Sequence, residues 1–308
     1  MTALIVEKAG PQASVQDGGR FGVRHLGLTQ GGALDWLAQH WANWMLGNRL
    51  DAAVVEVTLG GLQLRCEGEG WLALTGADLG ATLDGQLLDV WRPFKVRAGQ
   101  QLCFASPRLG LRAYLAVPGG VRAPLLAGSC ATIAREGVGG LDGHGSGLQV
   151  DDRLAWEGQA SVIRAVPPAL IPDLRAPARL ELILGAQAGS FGGQSLFDAF
   201  DQAWTVDTRS DRMGVRLTGT PLRYDGPGLV SEGIPLGAVQ VPPDGQPIIL
   251  LNDRQTIGGY PRLGALSPLA VARLAQCLPG ENLWLVPQVT FAAQQRHRRC
   301  LQALRAAG

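Results

Sequence analysis

The chain has 308 residues, 46% hydrophobic and 17% charged, with a formal net charge of +1. That length favours two domains, and the near-neutral charge gives no electrostatic case for nucleic acid or a membrane surface. Apolar runs fall short of the roughly 20 residues of a bilayer span, and Met1–Gly10 carries no signal-peptide apolar region, so a cytoplasmic location is expected. The five cysteines (66, 103, 130, 277, 300) show no C-x-x-C pair and no zinc spacing. They are expected to be reduced and mostly buried, and no metal site is predicted. With 43 glycines and 19 prolines between short apolar runs, the fold class is mainly β with a few helices.

Ala3–Lys8 reads as a first strand, ended by Pro11. A glycine-rich polar loop follows, with Gln16, Asp17 and Arg20 set among Gly18, Gly19, Gly22 and Gly27. Such a loop suits either a small polar ligand or an ion pair closing a turn. Leu34, Leu37, Trp41, Trp44 and Met45 recur at helical spacing. Asp35, Gln39 and Asn43 form a polar stripe opposite them, either solvated with a capping aspartate or facing a cleft. Gly47-Asn48 ends that helix. Val55–Leu59 and Leu62–Cys66 alternate around Gly60-Gly61 and predict a hairpin, with Glu56 and Thr58 on a face of their own. Short strands recur near 71–75, 81–83, 87–91, 101–104 and 112–117, the spacing of a sandwich or barrel.

Gly137–Gly147 is very rich in glycine but lacks a phosphate-loop lysine and the dinucleotide fingerprint, so it reads as a flexible loop. The prolines of 166–178 read as a linker, giving domains 1–165 and 179–308. Beyond it, strands are predicted at 180–184, 217, 238–241 and 247–251. Helices are predicted at 190–200, 267–277 and 290–304, the second with a serine cap and proline at its first position. Asp17–Phe21 before the first helix has an echo in Gly258–Pro261 before the Ser267 helix. A duplicated β-rich unit would place the two glycine loops across one cleft.

The common catalytic signatures are missing. What remains is a set of carboxylates, arginines and amides in glycine-rich surroundings: Asp17, Arg20, Asp35, Asn43, Asn48, Glu56, Thr58, Asp211, Arg212, Arg216, Glu232, Gln240, Asp253, Gln255, Thr256 and Tyr260. Such a set suits either a small amide or carboxylate ligand, or turn locks and inter-domain salt bridges. Arginine suits carboxylate or phosphate through paired hydrogen bonds.

The strings S-V-Q-D-G-G-R-F-G from Ser14, G-A-L-D from Gly32 and V-E-V-T-L-G-G-L from Val55 carry a resemblance. So do R-A-Y-L-A-V-P-G-G from Arg112, D-R-M-G-V-R-L from Asp211, V-Q-V-P-P-D-G-Q-P-I from Val239 and D-R-Q-T-I-G-G-Y-P from Asp253. Together they resemble the biotin-dependent carboxyltransferase, or allophanate-hydrolase subunit 2, family. The chain is most similar to its free-standing bacterial members, the C subunits of ATP-dependent 5-oxoprolinase, which include the antagonist of a sporulation-kinase inhibitor. The resemblance implies two cyclophilin-like β-barrel domains. It also implies A-type and B-type partner subunits, with ATP (and Mg) as co-substrate for opening 5-oxoproline to L-glutamate. Under it, Asp17, Asp35 and Glu56 are candidate catalytic residues, for metal or water, and Gln16, Arg20, Asn43, Thr58, Arg212, Glu232, Gln240, Asp253, Gln255, Thr256, Gly258, Gly259 and Tyr260 are candidates for binding substrate. Arg20 and Arg212 would meet the anion. Alanine at Asp17 is then expected to abolish turnover without unfolding. The alternatives are carboxyl transfer from carboxybiotin to a small amide such as urea, and a regulatory protein sequestering its B-type partner. The chain departs from the family pattern with G-S-C-A-T at 128–132 for G-S-R-S-T, His144 for arginine and Leu34 for methionine.

Overall fold

The computed structural model describes residues 2–306. The chain divides into two compact units. One takes the chain through Phe21 and Gly31–Asp173, and the other takes Gly22–Gln30 and Leu174–Arg305. The later break lies inside the proline-rich stretch. The early glycine loop departs from a linear division, because Gly22–Gln30 packs with the second unit. Arg24 explains why. Its guanidinium donates to the carbonyls of Ile234, Gln255 and Thr256 at 2.9, 3.2 and 3.1 Å.

The fold is mainly β, with four α-helices among the described residues. In the first unit, strands β1 (Thr2–Lys8), β4 (Gln63–Cys66), β6 (Thr82–Leu83), β7 (Gln86–Leu87), β9 (Gln101–Cys103) and β11 (Arg153–Trp156) form a six-stranded sheet, order β11-β1-β4-β9-β6-β7. Strands β2 (Gln12–Gln16), β3 (Val54–Thr58), β5 (Gly70–Asp78), β8 (Arg92–Val96) and β10 (Leu109–Ala116) form a five-stranded one, order β2-β3-β10-β5-β8. Alternation sends Val15, Val55, Val57, Leu72, Leu74, Ala113 and Leu115 of the second sheet into one core with Leu4, Val6, Leu64, Leu102 and Leu154 of the first. The opposite face of the five-stranded sheet carries a polar row. Ser14 lies across from Glu56, Glu56 from Tyr114, and Tyr114 from Thr75. Helix α1 (Trp36–Met45) packs over β5 and β10 on that side.

The hairpin expected around Gly60-Gly61 does not form. β3 pairs with β2 and β10, whereas β4 pairs with β1 and β9. Leu59, Gly60 and Gly61 all have positive φ (64°, 82° and 77°) and carry the chain from one sheet to the other. Alternation on both sides of Gly-Gly therefore marks two inward faces of a sandwich rather than paired strands. Gly137–Gly147 is likewise packed, not open: a Cβ on Gly139 would stand 2.0 Å from the Ala131 carbonyl oxygen.

In the second unit, strands β12 (Ala178–Leu184), β13 (Trp204–Val206), β14 (Gly214–Thr218), β16 (Ala238–Gln240), β17 (Ile248–Leu250), β19 (Arg262–Leu266) and β20 (Asn282–Pro287) form a closed barrel. The parallel β12–β20 pair completes it, and closure removes the exposed sheet edges. Helices α2 (Gly193–Asp201) and α3 (Pro268–Leu274) pack on β20 and β12 respectively, and α4 (Thr290–Ala306) ends the described chain. Ser267 caps α3 by accepting from the Ala270 N–H at 3.2 Å, with Pro268 in the first turn, as the sequence predicts. A two-stranded ribbon, β15 (Glu232–Gly233) with β18 (Ile257–Gly258), stands apart from the barrel's strand order.

At the sheet-to-sheet corner, a Cβ on Gly60 would lie 2.4 Å from the Ala105 carbonyl oxygen at a φ of +82°. Gly60→Ala is expected to destabilise the chain by about 2–4 kcal/mol, read as a lower urea midpoint.

Candidate functional site

The first unit concentrates its buried polar groups between α1, the five-stranded sheet and the loop at 126–132. One Glu56 carboxylate oxygen accepts from the Leu34 N–H at 3.0 Å and from the Tyr114 hydroxyl at 2.9 Å. The Asp35 N–H donates to that same hydroxyl at 2.8 Å. Arg112 lies 3.9 Å from the other Glu56 oxygen. Burial, then the Glu56 and Asp35 charges, push the Tyr114 phenol well above its ordinary value, so Tyr114 stays a neutral donor. Asp35 is the N-cap of α1 and accepts from the Ala38 N–H. Its two stripe-mates are also buried. Gln39 donates to the Ala52 carbonyl, and Asn43 donates to those of Leu50 and Ala52. The stripe thus pins the 50–52 backbone, and it is not solvated.

The early glycine loop forms a second knot. Asp17 accepts from Ser129 Oγ at 2.6 Å, the Cys130 N–H at 2.7 Å and the Gly19 N–H at 2.8 Å. Arg20, 1% exposed, donates to the carbonyls of Leu126, Ser129 and Ala131. Gln16 adds Nε2 bonds to Ser14 Oγ and the Thr132 carbonyl. The three residues meet on the segment where the sequence departs from the family pattern. Cys130 sits there with its thiol held well above the usual range, by burial first and then by Asp17, which makes it a poor nucleophile. Thr58 lies in register with Gln12 and Arg112.

Magnesium would need carboxylate oxygens presented together with room for water. Asp17, Asp35 and Glu56 instead turn oxygens onto N–H and O–H donors of the fold. Among the described residues, no group of three or more His, Cys, Asp or Glu side chains could hold a metal ion. These residues do not fit the metal that the family resemblance brings with it.

The second unit gathers the remaining candidates around the β15–β18 ribbon. Glu232 is directly opposite Gly258 and is engaged by Arg262 and by Gln187 Nε2. Arg212 and Asp253 form a two-point ion pair at 2.9 and 3.2 Å. The Thr256 carbonyl accepts from the Ile234 N–H as well as from Arg24. Gln240, 2% exposed, and Gln255 both direct Nε2 towards Gly258. Tyr260 is exposed, and with Pro261, Val241 and Tyr224 it lines a pocket of about 510 Å³.

Two arginines outside the sequence-predicted set, Arg24 and Arg254, take a central place here. Both donate to the carbonyl of Ile234, at 2.9 and 3.1 Å. Arg254, 2% exposed, also donates to the Leu251 carbonyl and to Gln30 Oε1. Burial, and then Arg24, push its guanidinium down to about 9. The one sequence signal for Arg254 is its place inside the D-R-Q-T-I-G-G-Y-P string. Tyr114 is legible from its place inside the R-A-Y-L-A-V-P-G-G string, though not its pairing with Glu56.

A family model, the carboxyltransferase domain, subdomain A and B, matches residues 26–287. The chain belongs to this family. It is 37% identical over 307 residues to the C subunit of 5-oxoprolinase from Escherichia coli, covering 98% of this chain and 97% of the relative. The Haemophilus influenzae protein of the same name is 36% identical over 273 residues, covering 88% of this chain and 87% of the relative. Among solved structures, the Kluyveromyces lactis urea amidolyase superposes with a TM-score of 0.91 at 25% identity, across 98% of this chain and 20% of that much longer one. No helix among the described residues is long and apolar enough to cross a membrane.

The Asp17 contacts carry a consequence for stability. Asp17→Ala would leave Ser129 Oγ and the Cys130 N–H without their acceptor, so a loss of about 2–4 kcal/mol is expected. Chemical denaturation checks it, and an unchanged midpoint would free Asp17 from this structural role. At the other knot, Tyr114→Phe and Glu56→Gln are expected to couple by about 1.5–3 kcal/mol in a double-mutant cycle, as for a hydrogen bond to a buried charge.

Proposed function

We propose that this chain is one subunit of an ATP-dependent hydrolase that opens the cyclic amide 5-oxoproline to L-glutamate, together with A-type and B-type partner subunits. The observation carrying this reading is the end-to-end similarity to the C subunit of 5-oxoprolinase, over 98% of this chain and 97% of the Escherichia coli protein. An amide carbonyl is a poor electrophile at neutral pH. Transfer of the ATP γ-phosphoryl group to the carbonyl oxygen releases ADP and activates the carbon for attack by water. The hydrated carbon then expels the ring nitrogen, which takes a proton as the amine, and hydrolysis of the resulting acyl phosphate gives glutamate and phosphate. Charge develops on oxygen in these steps, where fixed N–H donors and cations stabilise it.

The chain's own residues divide into two roles under this reading. Gln240, Gln255, Thr256, Gly258, Gly259 and Tyr260, with the Arg212–Asp253 and Glu232–Arg262 pairs around them, form the substrate-facing set. Asp17, Arg20 and Gln16 are positioning residues for the 126–132 loop, Asp35 and Glu56 for the start of α1, and Asn43 for the 50–52 backbone. The geometry favours that division: the first group includes two amide donors turned towards the bare Gly258 backbone, and the second group binds the fold itself.

Carboxyl transfer to a small amide is the second reading, favoured by the TM-score of 0.91 with the Kluyveromyces lactis urea amidolyase. Biotin would then enter on a separate carrier. Reconstitution with A-type and B-type subunits decides between the two. Glutamate and ADP should form from 5-oxoproline and ATP only when all three chains are present. Absence of glutamate, alongside labelled carboxyl transfer from a carboxybiotinyl carrier to urea, would replace the first reading with the second.

A further inference from the structure

We infer that Gln240 and Gln255 form a subsite at Gly258 that takes a carbonyl or carboxylate oxygen of a small ligand. The inference deepens the proposed function, and it rests on that reading for the choice of 5-oxoproline as the main probe. It starts from an unmade hydrogen bond. Gln240 is the last residue of β16 and is 2% exposed, yet among the described residues its Nε2 has no acceptor. Leaving a buried donor unpaired is unfavourable, and native folds keep few such groups. The amide is aimed at Gly258, where a Cβ would stand 3.0 Å from Gln240 Nε2 and 3.6 Å from Gln255 Nε2. Two N–H₂ groups from separate elements therefore converge on the bare side of one glycine.

Gly258 is not needed there for its backbone angles, because its φ lies outside the left-handed region. It is needed for space. A Cβ would also lie 2.6 Å from Ile234 Cδ1, so any side chain would close over the two amides. Chemistry sets the class of ligand. Paired amide N–H groups offer protons and suit an acceptor oxygen, not an ammonium or another N–H. The surrounding charge points the same way. Arg24 and Arg254 meet on the carbonyl of Ile234, the residue whose side chain borders the subsite, and Arg262 donates to the neighbouring Gly233 carbonyl. A lactam carbonyl oxygen and a carboxylate oxygen both satisfy these donors, and 5-oxoproline carries both.

The test uses the full chain alone, ¹⁵N-labelled, with the side-chain amide signals of Gln240 and Gln255 assigned by substitution. Titration with 5-oxoproline should move both signals. 2-Pyrrolidinone, which has the lactam but no carboxylate, and acetate, which has only the carboxylate, show which oxygen is held. Gly258→Ala and Gln240→Leu should each weaken 5-oxoproline binding roughly 10- to 100-fold, as for one or two lost hydrogen bonds. Gln240→Leu should also leave Tm unchanged or raise it, because it removes an unpaired donor. A fall in Tm for Gln240→Leu would assign the amide to the fold and overturn the subsite. So would signals that stay fixed with all three probes in a folded chain. The two readings fail separately. A reconstituted complex that makes no glutamate, around a chain that still binds 5-oxoproline through these amides, removes the proposed function and keeps the subsite. Glutamate formation with an unchanged KM in the Gln240→Leu complex keeps the function and removes the subsite.

Discussion

A carboxylate in the interior of the first unit sets the terms for everything packed on it. Glu56 is 2% exposed, and a charge so placed is tolerated only where donors replace the water it has lost. The Leu34 N–H and the Tyr114 hydroxyl do so from two different elements. The same hydroxyl receives the Asp35 N–H, so the entry of α1 is tied to the sheet through one phenol oxygen. Thr75 Oγ1 extends the tie by donating to the Ala38 carbonyl at 2.7 Å. A helix seated on apolar contacts alone could slide. One seated on directional bonds to a buried charge has a fixed register.

The two units place their polar residues under opposite physical conditions. In the first, aspartates, amides and arginines are turned inward onto backbone groups, and this internal bonding lets a glycine-rich chain hold long irregular loops. Asp17 and Arg20 clamp the 126–131 segment this way, one accepting from it and the other donating to it. In the second, the barrel is closed by its own ladder, and the ribbon outside it has to be held by side chains. Arginines hold it by bonding carbonyls. The result sets two guanidinium groups, of Arg24 and Arg254, on the one carbonyl of Ile234.

Much of the architecture is legible in the sequence because it rests on local spacing. The period-two runs around Val55 and Arg112, the helical period from Leu34 to Met45, and the Ser267-Pro268 helix start all correspond to elements in the structure. The hairpin reading of Gly60-Gly61 fails for a definite reason. Alternation specifies which face is buried, but not which strand lies alongside, and positive φ at three consecutive residues can turn a chain between sheets as readily as back on itself. The candidate site is only partly legible for a related reason. Asp17 and Gln240 look alike in sequence, as polar residues near glycines. One is met by Ser129 and the other, among the described residues, by no acceptor, and residues far along the chain decide which. Arg24 escapes a local reading because its partners are more than 200 positions away.

That separation bears on how the second unit can be made. Gly22–Gln30 is synthesised with the first unit's opening strands but belongs to the body completed by Leu174–Arg305. The carbonyls that Arg24 bonds reach it only once the ribbon flanked by Ile234, Gln255 and Thr256 has emerged, and closing a loop of that length carries a larger entropic cost than any hairpin in the chain. The unit is discontinuous in sequence. A fragment beginning at Leu174 would keep every strand of the barrel and still lack one of the arginines that fasten its ribbon. The boundary between the halves is thus a boundary in space that no single cut in the gene can reproduce.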